Sequence, residues 1–525
     1  MHRILNPEKD TYITNVITEG RRRDASNVGQ AGTLDLFKKV NVSNLSSGQE
    51  FYVSGTNIFG SQVTGSIIED SSILIKFSFN EIDNISDVDI SDPNFKCFLS
   101  LKDVYGGQTT PSNFSLKVFP LSKSFDEGRG SDVYGFLDKD AANYLSASSS
   151  PGSSWEIPGA YISGSNGQQV DILADVTASQ FFSRGDEDLY VDVTSIVSST
   201  LAGDIENHGF KIQFGNEELQ NDKTYFVKRF GSRHVNNRSF KPSLILQNTS
   251  RIQDDTGDLY FNQSQNMFAY NRVNSLLTNF IDDSSEITGS NSLILELAAS
   301  RSIQFTTSSF SISHDMVITH LTKSVDYFSV FITGSQYQIN NNPKTGIYFA
   351  NIFLDKNDQE LKDFLSGSQE QTFKATWKTL DESKVLSTYP VVFKTNFGAN
   401  YNNNVRNTIV NITNLKNVYK NTEKATLRIF AADLGFALPT SKSPANLPSK
   451  ILRDLRWSIK KPFKGEEVIP FSEATKTSYD FEGMYFDIFM SDFDRGEVYE
   501  IELLITEENN KTTLIQNQGF RFRVQ

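Results

Sequence analysis

A chain of 525 residues carries 50 Lys and Arg against 63 Asp and Glu, a formal net charge of −13. A surface that tracks phosphate needs a basic face, so this balance argues against nucleic acid as a partner. Hydrophobic residues make up 38%, a globular proportion, and the length allows two to four domains, each able to bury a core of its own.

The apolar set is biased toward side chains that suit a pleated, half-buried surface, with 41 Phe and 19 Tyr against 3 Trp and 5 Met. The first ten residues, Met1 to Asp10, contain no apolar signal-peptide core, so no export by the Sec route is expected. Arg21-Arg22-Arg23 reads as a solvated basic loop. Ile73, Ile75, Phe77 and Phe79 alternate with Leu74, Lys76 and Ser78, a strand with one apolar and one mostly polar face. Cys97 is the only cysteine, in the strand-like run Phe95-Lys96-Cys97-Phe98-Leu99, so an intrachain disulfide is impossible and a buried small hydrophobe is expected. Gly128-Arg129-Gly130 lacks the rest of a dinucleotide fingerprint and reads as a turn. Leu145 to Ser154, rich in Ser and Gly, reads as a long surface loop, and Thr194 to Leu201 as a short helix. Lys241-Pro242-Ser243-Leu244-Ile245-Leu246 closes a first domain, 1–250, and the polar hinge Asn248 to Asp258 follows.

A second domain, 251–395, contains Asn271 to Phe280, a strand or a helix, and the strand pattern Gly346 to Leu354. No apolar run nears the roughly 18 residues of a membrane span; Tyr327 to Ile332 is among the longest, so no membrane partner is expected. The Asn-rich stretch Asn396 to Asn404 opens a third domain, 396–525, where Tyr499, Ile501, Leu503 and Ile505 alternate with mostly polar residues, and Phe520, Phe522 and Val524 with arginines. All-strand segments of this size match an immunoglobulin-like sandwich. Sustained heptads and short repeats are absent, which disfavours coiled coils, solenoids and propellers.

Residue types that carry chemistry do not cluster. His2, His208, His234, His314 and His320 are scattered without an HExxH spacing; His314 and His320 share one face of an unbroken strand, which leaves a metal role open beside an ordinary solvated one. Nucleophile-elbow and phosphate-loop patterns are missing, and no carboxylate pair stands out as a glycosidase couple. Asp83, Asp87, Asp89 and Asp92 cluster, as do Asp254, Asp255 and Asp258, but neither has EF-hand spacing; acidic surface loops are the simpler reading, and a bound ion stays open. The chain is therefore read as non-enzymatic, with no cofactor. Trp155 is either a core plug or an exposed sugar platform.

One resemblance stands out. Asp10-Thr11-Tyr12-Ile13-Thr14-Asn15, then Ser26-Asn27-Val28-Gly29, then Ser72-Ile73-Leu74-Ile75-Lys76-Phe77 resemble the jelly-roll module called DNRLRE-type or disaggregatase-related. Tyr190 to Thr194, Asn207 to Ile212, Phe230-Gly231-Ser232-Arg233 and Lys241 to Leu244 follow that module's order. Ser72 departs from it, since many members have Arg there. With the stretch Asn266 to Arg272, the chain is also similar to large virion proteins of marine and cyanobacterial tailed phages, over residues 1–275. The resemblance implies an all-β chain, a jelly-roll sandwich followed by two immunoglobulin-like sandwiches. It implies a structural component of the virion, in its neck, tail or baseplate, made in the host cytoplasm. The expected partners are other virion proteins and symmetric copies of the chain. The alternative is a carbohydrate-binding adhesin on the virion, contacting host glycans through Trp155, Tyr134 and Tyr161.

Overall fold

Side chains that alternate every second residue bury one face of each strand, and this chain stacks such faces in pairs. The computed structural model describes all residues except 19–20, 43–54, 57–61, 64–65, 82–89, 91, 105–109, 131–140, 162–170, 250, 275, 301–317, 325–326, 340–341, 396–407, 434–448, 507–511 and 517. Among the described residues there are three α-helices, the longest being Thr194–Ala202, the segment expected to be helical. The fold is all-β, built of sandwiches. The chain divides into two compact units, one of His2–Ile85 and Ile90–Asn248, the other chiefly Thr249–Gln525.

The first unit is a jelly roll. One sheet has the order His2–Leu5, Ser243–Gln247, Lys96–Leu101, Leu189–Asp192. The other runs Ala178–Phe182, Phe114–Pro120, Phe210–Phe214, Ser66–Phe77, Thr33–Val42, Tyr225–Gly231, with Pro7–Thr14 also paired to Ser66–Phe77. The chain repeatedly crosses from one sheet to the other, as that fold requires. Ile73, Ile75, Phe77 and Cys97 are fully buried, as their alternation demands. Leu74, expected on a mostly polar face, is fully buried too. It joins Ile13, Phe119, Phe125, Trp155 and Ile172 in a second, smaller core. The described parts of residues 121–174 fold over the outer face of the sheet, and the Ser-rich segment Leu145–Ser154 is anchored there by buried Ala147.

The second unit holds two sandwiches of one topology, lettered by the immunoglobulin convention. In the middle sandwich, A′ is Leu259–Tyr260, B Gln265–Tyr270, C Leu293–Ser300, E Asn342–Ile352, F Glu370–Thr379 and G Val385–Lys394. The long strand Tyr327–Ile339 pairs with C as far as Gly334 and with E from Ser335 onward, so it carries the chain from one sheet to the other. Residues 271–280, open between strand and helix, begin with a hairpin of Arg272–Val273 and Leu276–Leu277.

In the terminal sandwich, A is Thr408–Ile412, A′ Val418–Tyr419, B Lys424–Asp433, C Leu455–Lys461, C′ Glu466–Ile469, D Ser478–Asp480, E Gly483–Phe489, F Val498–Thr506 and G Arg521–Val524. The sheets are A-B-E-D and A′-G-F-C-C′. That order, with A′ parallel to G in both sandwiches, is the immunoglobulin arrangement. Tyr499, Ile501, Leu503 and Ile505 are all buried. Trp457 on C stacks on Phe486 on E with ring centroids 4.9 Å apart, so an aromatic pair spans the two sheets. The Tyr499 hydroxyl accepts from the Asp494 backbone N–H at 2.9 Å, pinning the E–F connection to the start of F as a tyrosine corner.

The acidic segment before the middle sandwich is tied to the terminal one. The Asp254 N–H donates to the Tyr479 carbonyl at 3.0 Å, and the Tyr479 N–H donates to the Ile252 carbonyl at 3.1 Å. Arg453 Nη2 lies 3.4 Å from Asp255 Oδ1.

Tyr499→Phe is expected to cost about 1 kcal/mol, one hydrogen bond, while Trp457→Ala costs about 3–5 kcal/mol through a cavity between the sheets. Denaturant unfolding of the two variants checks this ranking; a larger loss for Tyr499→Phe would show that the corner, more than the aromatic pair, holds the sheets.

Candidate functional site

Among the described residues, Asp10, Glu127 and His234 form the group of acidic and histidine side chains with ligand atoms all within 4.8 Å of one another. Three remote stretches bring them together. Asp10 lies in the strand Pro7–Thr14, Glu127 follows Phe114–Pro120, and His234 follows Tyr225–Gly231. Two sharp turns set the approach. Gly29 has φ 61°, and a Cβ there would come within 2.5 Å of the Gly130 carbonyl oxygen. Gly128 has φ 85°, and a Cβ there would strike the Asn27 side chain. The Ser26-Asn27-Val28-Gly29 turn thus docks backbone to backbone on Gly128-Arg129-Gly130, with Val28 buried and Asn27 Nδ2 donating to the Ala142 carbonyl at 2.5 Å.

The next residue inward is Glu127, and Arg233 grips it. Arg233 Nε donates to Oε1 at 2.7 Å and Nη2 to Oε2 at 2.6 Å, a bidentate pair. Oε1 also accepts from the Asp10 N–H at 3.1 Å and lies 3.0 Å from His234 Nε2. The Arg233 N–H donates to Asp10 Oδ2 at 2.5 Å. Burial pushes the Glu127 carboxyl upward, but the hydrogen bonds from Arg233, the Asp10 N–H and His234 outweigh it and hold the group below its ordinary value. Asp10 has less compensation, and burial raises it to about 7.

Glu127 is satisfied from within, while Asp10 Oδ1 is buried without a hydrogen bond. Every donor aimed at Glu127 comes from the chain itself, and the guanidinium covers both carboxylate oxygens where a cation would have to bind. Asp10 is 1% exposed and Glu127 8%, so neither faces a substrate. The group is a latch that ties the N-terminal strand to a loop and to the entrance of the last strand. Asp10 and Arg233 both fall in stretches quoted for the resemblance. Glu127 was not anticipated; the local signal was its place beside the two glycines of the turn.

Buried ammonium groups pin other loops of the jelly roll. Lys228 donates to Asp103 Oδ1 at 2.5 Å and to the Gly185 and Glu187 carbonyls, both at 2.7 Å. Lys38 reaches the carbonyls of Glu218 and Asn221. Lys211 donates to the Ala160 carbonyl at 2.9 Å above the Tyr161 ring, and burial lowers it to about 7.

The residues named as glycan contacts lie elsewhere. Trp155 is 4% exposed, with its indole N–H donating to the Asn143 carbonyl at 2.9 Å. Tyr161 is 3% exposed, with its hydroxyl 2.5 Å from Asp70 Oδ2. Both rings are enclosed by protein, so neither offers a face to a sugar. Tyr134 lies outside the described residues, as do His314, Asp83, Asp87 and Asp89. His2 is buried and lowered to about 3 by that burial; His208 pairs with Glu206 at 3.0 Å. Asp254 accepts from the Thr256 N–H, and Asp255 is matched by Arg453 and the Asn266 N–H.

No protein-family model matches the chain, and no curated protein matches it. Among solved structures it is similar to fibronectin(III)-like modules of Clostridium thermocellum CbhA, at 10% identity over 52% of this chain and 90% of that one, with a TM-score of 0.13. A Ca2+-stabilized adhesin with which an Antarctic bacterium binds ice matches at 10% identity over 97% and 98%, with a TM-score of 0.12. The N-terminal domain of the Streptococcus gordonii adhesin Sgo0707 matches at 8% identity over 75% and 81%, with a TM-score of 0.13. Scores at this level carry no argument.

Two expectations test the latch. Arg233→Ala is expected to cost about 2–3 kcal/mol, because it leaves a nearly buried carboxylate without its partner, and calcium or zinc is expected not to restore the loss. Recovery of the melting temperature on adding either ion would instead make the cluster a cation site. For Asp10 the folded value lies above the unfolded one, so its contribution is complete below about pH 4 and is lost as pH rises through about 7. Asp10→Asn is therefore expected to match the wild type near pH 4 and exceed it in stability at pH 8, read by thermal denaturation at the two pH values.

Proposed function

We propose that the chain is a non-catalytic structural component of a tailed-phage particle, held in its neck, tail or baseplate by protein–protein contacts, in copies set by the particle's symmetry. The observation that carries this reading is where the molecule spends its ionisable and its apolar groups. The clustered charges of the jelly roll are turned on one another and on loop carbonyls. Large apolar side chains instead stand in solvent on turns and short hairpins, among them Phe463 at 84% exposure, Leu276 at 70% and Phe481 at 63%. Apolar tips of this kind are contact material for other proteins. The motifs shared with phage virion proteins over residues 1–275 supply the setting. The acidic balance suits a component packed at high local concentration and disfavours contact with the packaged genome.

Mass spectrometry of gradient-purified particles is expected to find this polypeptide at a fixed stoichiometry to the other structural proteins. Its absence from particles of full infectivity would refute the assignment.

A further inference from the structure

Two exposed features of the second unit differ in shape and charge. The first is a cap on the middle sandwich. Between B and C the chain makes two successive hairpins, Arg272–Val273 with Leu276–Leu277, then Ile281–Asp282 with Ser285–Glu286. The F–G hairpin joins them, since Lys384 Nζ donates to the Ile281 carbonyl at 2.7 Å. Val273, Leu276, Leu277, Ile281, Leu380 and Val385 are 38% to 70% exposed. Around them stand five acidic residues, Asp282, Asp283, Glu286, Asp381 and Glu382, against two basic ones, Arg272 and Lys384. The cap is held rigid at its base: the Phe280 N–H donates to the Tyr348 hydroxyl at 3.1 Å, and that hydroxyl donates to the Ile287 carbonyl at 2.7 Å.

The second feature is a tip on the terminal sandwich. The C–C′ turn reads Lys460-Lys461-Pro462-Phe463-Lys464-Gly465. Phe463 is 84% exposed, and Lys464 beside it is exposed as well. It is an aromatic plug beside one exposed ammonium, Lys464; Lys461 is buried against Glu466 and Asp494, and Lys460 pairs with Glu502.

Strand registers fix where each lies. In the middle sandwich the F–G hairpin is at one end of G. The other end, Phe393–Lys394, pairs with Leu259–Tyr260, just after the segment bound to Tyr479 of the terminal sandwich. In the terminal sandwich the start of C is beside that same junction, because the Leu455 carbonyl accepts from the Thr477 N–H. The C–C′ turn lies at the far end of C. The tip therefore points away from the junction, whereas the segment ahead of A′ runs back along the middle sandwich toward the cap, where the Tyr337 hydroxyl donates to the Arg251 carbonyl.

We infer that the tip of one chain docks into the cap of a second copy, Phe463 against the apolar hairpins and Lys464 against the acidic rim. This rests on the reading of the chain as an assembly protein. The contact is heterologous, so repetition yields a ring or a filament rather than a closed two-fold pair. An isologous cap-to-cap contact would set acid against acid. One plug and one hairpin face make a small interface, weak between two chains and strengthened when neighbours in a particle hold the copies in register.

Sedimentation velocity of the full-length chain over a concentration series tests this. The wild type is expected to self-associate. A tip variant, Phe463→Ser with Lys464→Glu, and a cap variant, Leu276→Glu with Ile281→Glu, are each expected to weaken association by roughly 30-fold or more. All four positions are exposed, and unchanged melting curves confirm folding. An equimolar mixture of the two variants is expected to recover a two-chain complex and nothing larger, because one intact cap then meets one intact tip. A wild type that stays monomeric, association untouched by either variant, or a mixture that fails to recover overturns the contact. A chain monomeric alone but present in purified particles would overturn the tip-and-cap contact and leave the structural role standing.

Discussion

Burying a charge in a sandwich is costly unless it is paired or hydrogen-bonded, and the jelly roll depends on meeting that condition several times. Lys38, Lys211 and Lys228 are all fully buried, and each spends its ammonium on loop carbonyls. Glu127 is buried against a bidentate guanidinium. These anchors substitute for what a single-cysteine chain lacks. With no disulfide to close its long connections, the fold staples them with internal charge, and each ammonium fixes the loop carbonyls that meet it.

Strand alternation made much of the sheet architecture legible in the sequence. Ile73, Ile75 and Phe77 point inward as their spacing demands, and so do Tyr499, Ile501 and Leu503. The short helix at Thr194 was legible as well. Long-range partners were not. Leu74 occupies an outer face that reads as polar, and only the return of residues 121–174 makes it core. Glu127 is one of 63 acidic residues, and beyond the glycines that follow it nothing local marks it until Arg233, more than a hundred positions away, lies beside it. Trp155 and Tyr161 have the amphipathic character of a sugar platform, but the same character lets each ring plug a core while its polar end finds an interior acceptor.

The two immunoglobulin-like sandwiches solve one problem with different parts. The terminal one joins its sheets by the Trp457–Phe486 stack and a tyrosine corner. The middle one runs a single long strand through both sheets and closes the E–F connection with the helix Gln359–Leu365, whose Leu361, Phe364 and Leu365 enter the core. Carrying one strand through both sheets removes one free edge, and the switch falls after Gly334, where a Cβ would meet the Trp377 ring at 2.7 Å.

The parallel pairing of Leu259–Tyr260 with Phe393–Lys394 also decides how the middle sandwich answers tension. A pull that enters ahead of Leu259 and leaves beyond Lys394 drags these two strands past each other along their length. Their hydrogen bonds are then loaded together, in shear, instead of opening one after another like a zip. A module with this pairing thus yields late to a pull along its own backbone.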